Sequence, residues 1–187
     1  MKRTQVAMPT KGHSATALAI LFAALLLLWP AFWNGYPIVF SDTGTYLTQA
    51  IERYVGWDRP VFYSLFLLPL HMTVTTWPVI AVQALLLAHL LHLLRRSLLP
   101  GTSVWWLVPV AAALAVASPL PWLVSQLMPD VFTGVLVLAL ALLILCGDRL
   151  CTGERIWLVA LATFAIAVHQ SHVLLAAALL LVLLPLR

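Results

Sequence analysis

The chain has 187 residues, 63% of them hydrophobic and 9% charged, with a net charge of +4 and a mean hydropathy of +1.03. A soluble domain carries about 25% charged residues, so the composition excludes an ordinary soluble enzyme and points to an integral membrane protein. The cations are few and scattered at the ends of apolar runs, which excludes a nucleic-acid partner and leaves them to set orientation in a bilayer. A backbone in lipid must satisfy its own hydrogen bonds, which admits helices or closed barrels. The apolar runs here are long and lack the alternation of barrel strands. The expected fold is therefore all-α, a polytopic transmembrane helix bundle of about six spans.

In chain order, residues 1–13 read as a basic cytoplasmic tail carrying Lys2, Arg3 and Lys11. Residues 14–33 supply the about 20 apolar residues of a first span, with Pro30 and the Trp29/Trp33 pair at its outer end. No A-x-A cleavage site follows, so it reads as an uncleaved helix. Residues 34–60 form the longest polar interruption, an extracytoplasmic loop holding Asp42, Glu52, Arg53, Asp58 and Arg59. Within it Tyr46, Leu47, Ala50, Ile51 and Tyr54 recur at helical spacing, the signature of an amphipathic helix lying on the membrane surface. Ser41 or Asp42 can cap its start.

Residues 61–74, interrupted by Pro69 and His71, read as a partly inserted or re-entrant piece. Further spans are expected over about 77–94, 104–117, 131–147, 156–168 and 173–186. A Pro-rich loop or broken helix fills 118–130, and the polar turn HQSH fills 169–172. His89 and His92 share a helix face, which suits helix–helix hydrogen bonding or interface snorkelling better than an incomplete metal pair. Cys146 and Cys151 flank a cytoplasmic helix end, where no disulfide is expected.

With the N-terminus in the cytoplasm, Lys2, Arg3, Lys11, Arg95, Arg96, Arg149, Arg155 and Arg187 fall inside, and only Arg53 and Arg59 fall outside. That bias fixes the expected orientation in a bacterial inner (cytoplasmic) membrane. It gathers Asp42, Glu52, Asp58, Arg59, Asp130, His169 and His172 on the outer face. Ionisable groups beside a bilayer are functional candidates, but each has a plainer alternative. Asp42 and Asp130 stand where a helix cap would. Asp58 and Arg59 can form a loop ion pair. His169 and His172 can be polar turn residues or can handle a ligand or proton.

The order of FSDTGTYL after the first span, then DRPVFYSLFLLPLH, then SQLMPDVFTGVLVLALALL, resembles the N-terminal module of GT-C-fold glycosyltransferases, polytopic enzymes that use polyprenyl-phosphate sugars. The resemblance implies an essential carboxylate in the first outer loop, at Asp42, with Tyr46 after it. It also implies a Pro-led segment from Arg59-Pro60 and a second acidic position at Asp130. On that basis Asp42 is the expected base for the acceptor hydroxyl. Arg59, Tyr46, His169 and His172 are the expected contacts of the lipid-linked donor and its phosphate. Mg²⁺ or Mn²⁺ is an open cofactor, with Asp42 and Asp130 as candidate ligands. Complete members of that family carry more spans and often a C-terminal soluble domain. The chain then reads as a truncated gene product, a fragment, or a subunit that needs a partner. A small transporter-like protein and a non-catalytic scaffold are the competing readings; polar groups gathered at one face, rather than at midspan, favour the enzyme.

Overall fold

The computed structural model describes residues 11–71 and 73–186. Most of the expected basic tail, residues 1–10, and Arg187 lie outside the described residues. Among the described residues the chain is all-helical, with ten α-helices, three short 3-10 turns and no β-strand. The first expected span divides into α1 (Lys11–Leu27) and α2 (Trp29–Asn34), with Leu28 as the turn between them. Pro30 has no amide hydrogen to donate back along the helix, so a continuous ladder breaks there. Gly35, at φ +81°, then ends α2 in the left-handed conformation.

The amphipathic helix expected in the following loop is α3 (Thr43–Glu52); it stops where Arg53 turns left-handed at φ 57°. α4 (Val61–His71) buries Tyr63, Ser64 and Leu67, and α5 (Trp77–Leu98) carries Arg95 and Arg96 in its last turn. α6 (Leu107–Ala117) follows a 3-10 turn at Val104–Trp106. The Pro-rich 118–130 segment contains the short α7 (Leu120–Ser125), and α8 (Val131–Leu145), α9 (Thr152–Val168) and α10 (His172–Leu183) complete the chain.

The helix lengths do not by themselves show the expected bundle of about six spans. Among the described residues, α5, with 22 residues, is the helix long and apolar enough to cross a membrane. The other apolar helices picked out with it have 10–17 residues. At about 1.5 Å per residue, even the longest of these is shorter than the roughly 30 Å of a bilayer's hydrocarbon core. Chain breaks at Leu28 and over 118–119, together with the Pro-rich runs, divide what looked continuous in hydropathy alone.

α5 and α8 pack together at the centre. α1 and α6 lie against each other with α1 also on α5, α9 and α10 lie against α8, and α3 rests on α4. The core is made of small and branched apolar residues, including Ala84, Ala88, Leu87, Leu136 and Ala139. Close-packed alanines let helix axes approach.

The bundle has two chemically distinct ends. At one, Arg96 makes a bidentate pair with Glu154, both N–O distances 2.7 Å, tying the end of α5 to the start of α9. Glu154 also accepts from the Cys151 amide at 3.0 Å, so Cys151 and Glu154 form a capping box with a thiol in place of the usual hydroxyl. Arg149 donates to the Ser97 carbonyl, Arg155 to the Gly147 carbonyl at 3.1 Å, and Arg95 to the Thr102 carbonyl at 2.8 Å. Cys146 is buried and Cys151 exposed, and both are free thiols. α8 runs from Asp130 to this basic end, and α9 runs from it back to His169.

The hydrogen bonds from Arg96 hold the Glu154 carboxyl down at about 2, below its ordinary 4.5. A carboxyl lowered by folding stabilises the fold fully above its unfolded value, and that stabilisation is lost as the pH falls through the folded value. Glu154→Gln is therefore expected to destabilise the protein by about 1 kcal/mol at neutral pH, the pair being partly exposed. The difference from wild type should shrink below pH 4.5 and disappear towards about 2. Thermal melts in detergent over that range measure it; a deficit that ignores pH would contradict the pairing.

Candidate functional site

The site is built at the other end, and its frame is a pair of short extended segments. The Ile38 amide donates to the Ser125 carbonyl at 2.8 Å, and the Leu127 amide donates to the Ile38 carbonyl at 2.9 Å, a parallel bridge between Ile38 and Gln126. Thr43, at the start of α3, adds a hydroxyl bond to the Leu127 carbonyl at 3.1 Å. From below, Gln83 in the middle of α5 donates to the carbonyls of Val124 at 3.1 Å and Gln126 at 2.9 Å, and accepts from the Tyr63 hydroxyl at 2.8 Å. These bonds satisfy extended backbone that no helix could pair. They also hold the entries of α3 and α8 side by side.

Between those entries lies a cavity of about 250 Å³ whose wall includes Asp42, Tyr46, Arg59, Asp130 and His169. Asp42 stands at the N-cap position of α3 but makes no capping bond. Its backbone, at φ −80° and ψ −13°, is already helical, whereas a capping residue needs an extended backbone to turn its side chain onto the first amides. The Thr43 hydroxyl instead accepts from the Phe40 amide at 2.9 Å. The Asp42 carboxylate pairs with Arg59 at 2.8 Å. Asp130 repeats the pattern at the start of α8, with φ −59°, ψ −31° and no side-chain cap. Capping therefore does not account for either aspartate. Arg59 thus pairs with Asp42 rather than with the adjacent Asp58, the plainer alternative.

Tyr46 is nearly buried and meets Tyr63 edge-on at 5.0 Å, the first contact of an aromatic floor that continues through Phe66, Phe132 and Phe164. Burial pushes the Tyr46 hydroxyl above its usual value; the neighbouring Arg59 offsets part of this, and Asp42, Asp130 and Asp58 add to it. The phenol stays protonated and can donate a hydrogen bond. The Nδ1 of His169 accepts from the Ser171 amide at 3.3 Å. In the neutral ring that leaves Nε2 as the protonated nitrogen.

His172 is placed differently from the expectation. It is buried, its Nδ1 bonds the Ala165 carbonyl at 2.6 Å and its Nε2 the Thr133 hydroxyl at 2.8 Å. Both nitrogens are committed to the protein, and His172 is not among the residues of the cavity wall. It backs His169, whose ring stacks on it at 4.9 Å, and ties α10 to α8 and α9. Glu52 and Asp58 are exposed and stand outside the cavity wall.

Sequence reasoning missed the supporting residues. Gln49 and Ser64 are buried and joined at 3.2 Å, and Gln49 reaches towards the Arg59 carbonyl at 3.5 Å, under the loop that presents the guanidinium. A Cβ at Gly56 would lie 2.5 Å from the Gln49 amide nitrogen, so a larger residue there would displace the Gln49 side chain. A polar glutamine within an apolar helix pattern is the available sequence signal for Gln49 and Gln83, because a buried amide requires partners.

Among the described residues no three His, Cys, Asp or Glu side chains gather as a metal-binding group. The cavity offers the carboxylates of Asp42 and Asp130, the first already paired with Arg59. That donor set is too small to cage a resident ion. A Mg²⁺ held by one or two carboxylates relies on substrate phosphates for the remainder of its shell, so a metal here fits only as a companion of a phosphate-bearing substrate. No protein-family model, no curated protein and no solved structure matches this chain.

Proposed function

We propose that the Asp42 cavity is the reaction centre of a membrane glycosyltransferase-like protein. It moves a sugar from a polyprenyl-phosphate donor to a hydroxyl acceptor on the extracytoplasmic face. The observation that carries the reading is the meeting of Asp42, Tyr46, Arg59, Asp130 and His169 in one cavity, with a carboxylate released from capping and set against a guanidinium. Large apolar side chains exposed along α1, α9 and α10, such as Phe22, Ile156, Leu174 and Leu181, support a lipid environment. The gathering of Arg95, Arg96, Arg149 and Arg155 at the opposite end supports a cytoplasmic placement of that end. In this arrangement α5 spans fully and the shorter helices span together as a bundle of about six segments, by local thinning of the bilayer around them.

The chemistry follows from the pair. In the resting site Arg59 neutralises Asp42. A donor phosphate competes for the guanidinium, and its arrival leaves the carboxylate free to accept a proton. The acceptor hydroxyl gives that proton to Asp42 as its oxygen bonds to the anomeric carbon. The bond from that carbon to the phosphate oxygen breaks, and its electron pair leaves on the lipid phosphate. Arg59 and the protonated Nε2 of His169 stabilise the departing charge, and Tyr46 donates to the sugar or phosphate.

The test is transfer of a labelled sugar from polyprenyl-phosphate donors to a hydroxyl acceptor by the purified chain in lipid vesicles. Arg59→Ala is expected to raise the donor KM about tenfold or more, the loss of a charge-assisted bond. Absence of transfer across a panel of donors by a folded, inserted chain would overturn the reading.

A further inference from the structure

At the basic end of the bundle α5 and α9 both lie near α8, and the Arg96–Glu154 pair ties them to each other. Further from that end they part. The gap is a groove of about 320 Å³, walled by Val82, Leu85, Leu86 and His89 of α5 and by Trp157 of α9. His89 precedes Arg96 by two helical turns, and Trp157 follows Glu154 by one, so the groove begins behind the ion pair and runs along the same helix faces. Leu85 is 39% exposed and Trp157 42%, which leaves the groove open to whatever surrounds the bundle.

The charge at this end is unbalanced. Glu154 answers Arg96, but Arg149 and Arg155 are held by backbone carbonyls, those of Ser97 and Gly147. Both are exposed, and neither has a carboxylate partner among the described residues. Asp148 is exposed as well and leaves a surplus of arginine. A carbonyl occupies one N–H of a guanidinium and neutralises none of its charge; the rest of the fork matches phosphate oxygens. The bond to Ser97 brings Arg149 beside Arg96 at the end of α5, and Arg155 adjoins Glu154, so these cations gather near the mouth of the groove.

Wall and mouth together select the occupant. Apart from the His89 ring, the wall is aliphatic side chains and indole, which an acyl chain fills and a free phosphate or a nucleotide does not. At the mouth a zwitterionic head brings a cation of its own to the arginines, whereas an anionic head does not. Exposed Leu98, Leu99, Trp105 and Trp106 at the same end mark a headgroup depth, where tryptophans concentrate. We propose that the α5–α9 groove seats an acyl chain of an anionic phospholipid from the surrounding bilayer, with Arg149 and Arg155 holding its phosphate. The inference rests on the membrane placement proposed above and uses nothing of the Asp42 cavity.

The test is native mass spectrometry and thermal melting of the full chain in detergent with three probes. These are dioleoylphosphatidylglycerol, dioleoylphosphatidylcholine with the same chains, and glycerol phosphate with none. Phosphatidylglycerol is expected to bind saturably and raise the unfolding midpoint. Phosphatidylcholine should bind about tenfold more weakly, and glycerol phosphate should leave the midpoint unchanged. The double variant Arg149→Gln/Arg155→Gln should lose the preference between the two lipids. Leu85→Trp, which fills the groove from an exposed position, should weaken phosphatidylglycerol binding about tenfold. Equal binding of both lipids by wild type, an equal midpoint shift by glycerol phosphate, an intact preference in the folded double variant, or full affinity in Leu85→Trp would each overturn the proposal. If the double variant does not fold, wild type in about 1 M salt takes its place, where screening acts within about 3 Å. The preference should then collapse, and an unchanged preference contradicts the site. No readout involves sugar transfer, so failure of the transferase reading and failure of this one are distinguishable.

Discussion

Asp42→Asn is expected to lower sugar transfer by about 10²–10⁴-fold, the usual contribution of a positioned general base, while the protein inserts and melts as wild type does. Asparagine keeps the side chain's size but cannot take the acceptor proton. The lost ion pair with Arg59 is partly open to solvent, and such pairs add little to stability. The two effects therefore separate: a large loss in turnover with a small change in the unfolding midpoint. Transfer assays on vesicles, paired with thermal melts of the same preparations, measure both. Activity within a few fold of wild type would remove Asp42 from the role of base. Asp130, the other carboxylate on the same wall, would then be the candidate to replace next.

Gln83→Leu is expected to be the most destabilising of the substitutions considered. Gln83 is 1% exposed and holds the Tyr63 hydroxyl and the carbonyls of Val124 and Gln126. Leucine fills similar space and leaves a buried donor and two acceptors unpaired, at about 1–3 kcal/mol for each group. Some of these groups relax towards other partners, so the net cost is about 3 kcal/mol. The unfolding midpoint in detergent should fall by several degrees. Transfer should fall with it, since Gln126 belongs to the cavity wall and to the bridge that aligns α3 with α8. A destabilisation below about 1 kcal/mol would show that the outer segments are held by the bridge alone.

The contrast between Asp42 and Tyr46 shows how much the sequence carries. Tyr46, Leu47, Ala50 and Ile51 repeat at helical spacing, and α3 forms over those residues because the period is a property of the chain itself. An aspartate just ahead of a helix reads as a cap by the same local logic. The structure departs from it because Arg59, beyond the end of α3, takes the carboxylate, and a local rule cannot register a tertiary competitor. The bridge between Ile38 and Gln126 left no periodic trace at all, being too short to show alternation. The convergence of Asp42, Arg59, Asp130 and His169 was legible through a coarser property, the distribution of positive charge among the loops, which put all four on one side of the expected topology. That property could not separate His169 from His172, because the two share a turn and differ only in what packs behind them. Helix length departs from the hydropathy pattern for a related reason. Hydropathy averages over a window and passes smoothly across Leu28, where Pro30 interrupts the hydrogen bonding of one apparent span.

The Asp42–Arg59 pair has a consequence during synthesis. Both partners lie between α2 and α4, so they can close on one another while the ribosome is still making α4 and α5. Asp130 and His169 enter much later. Neither charge then waits on the distant half of the chain for its counter-ion. Joined early, they present a neutral dipole to the incoming helices. The cavity wall is thus completed in two stages, the Asp42–Arg59 side before the Asp130–His169 side.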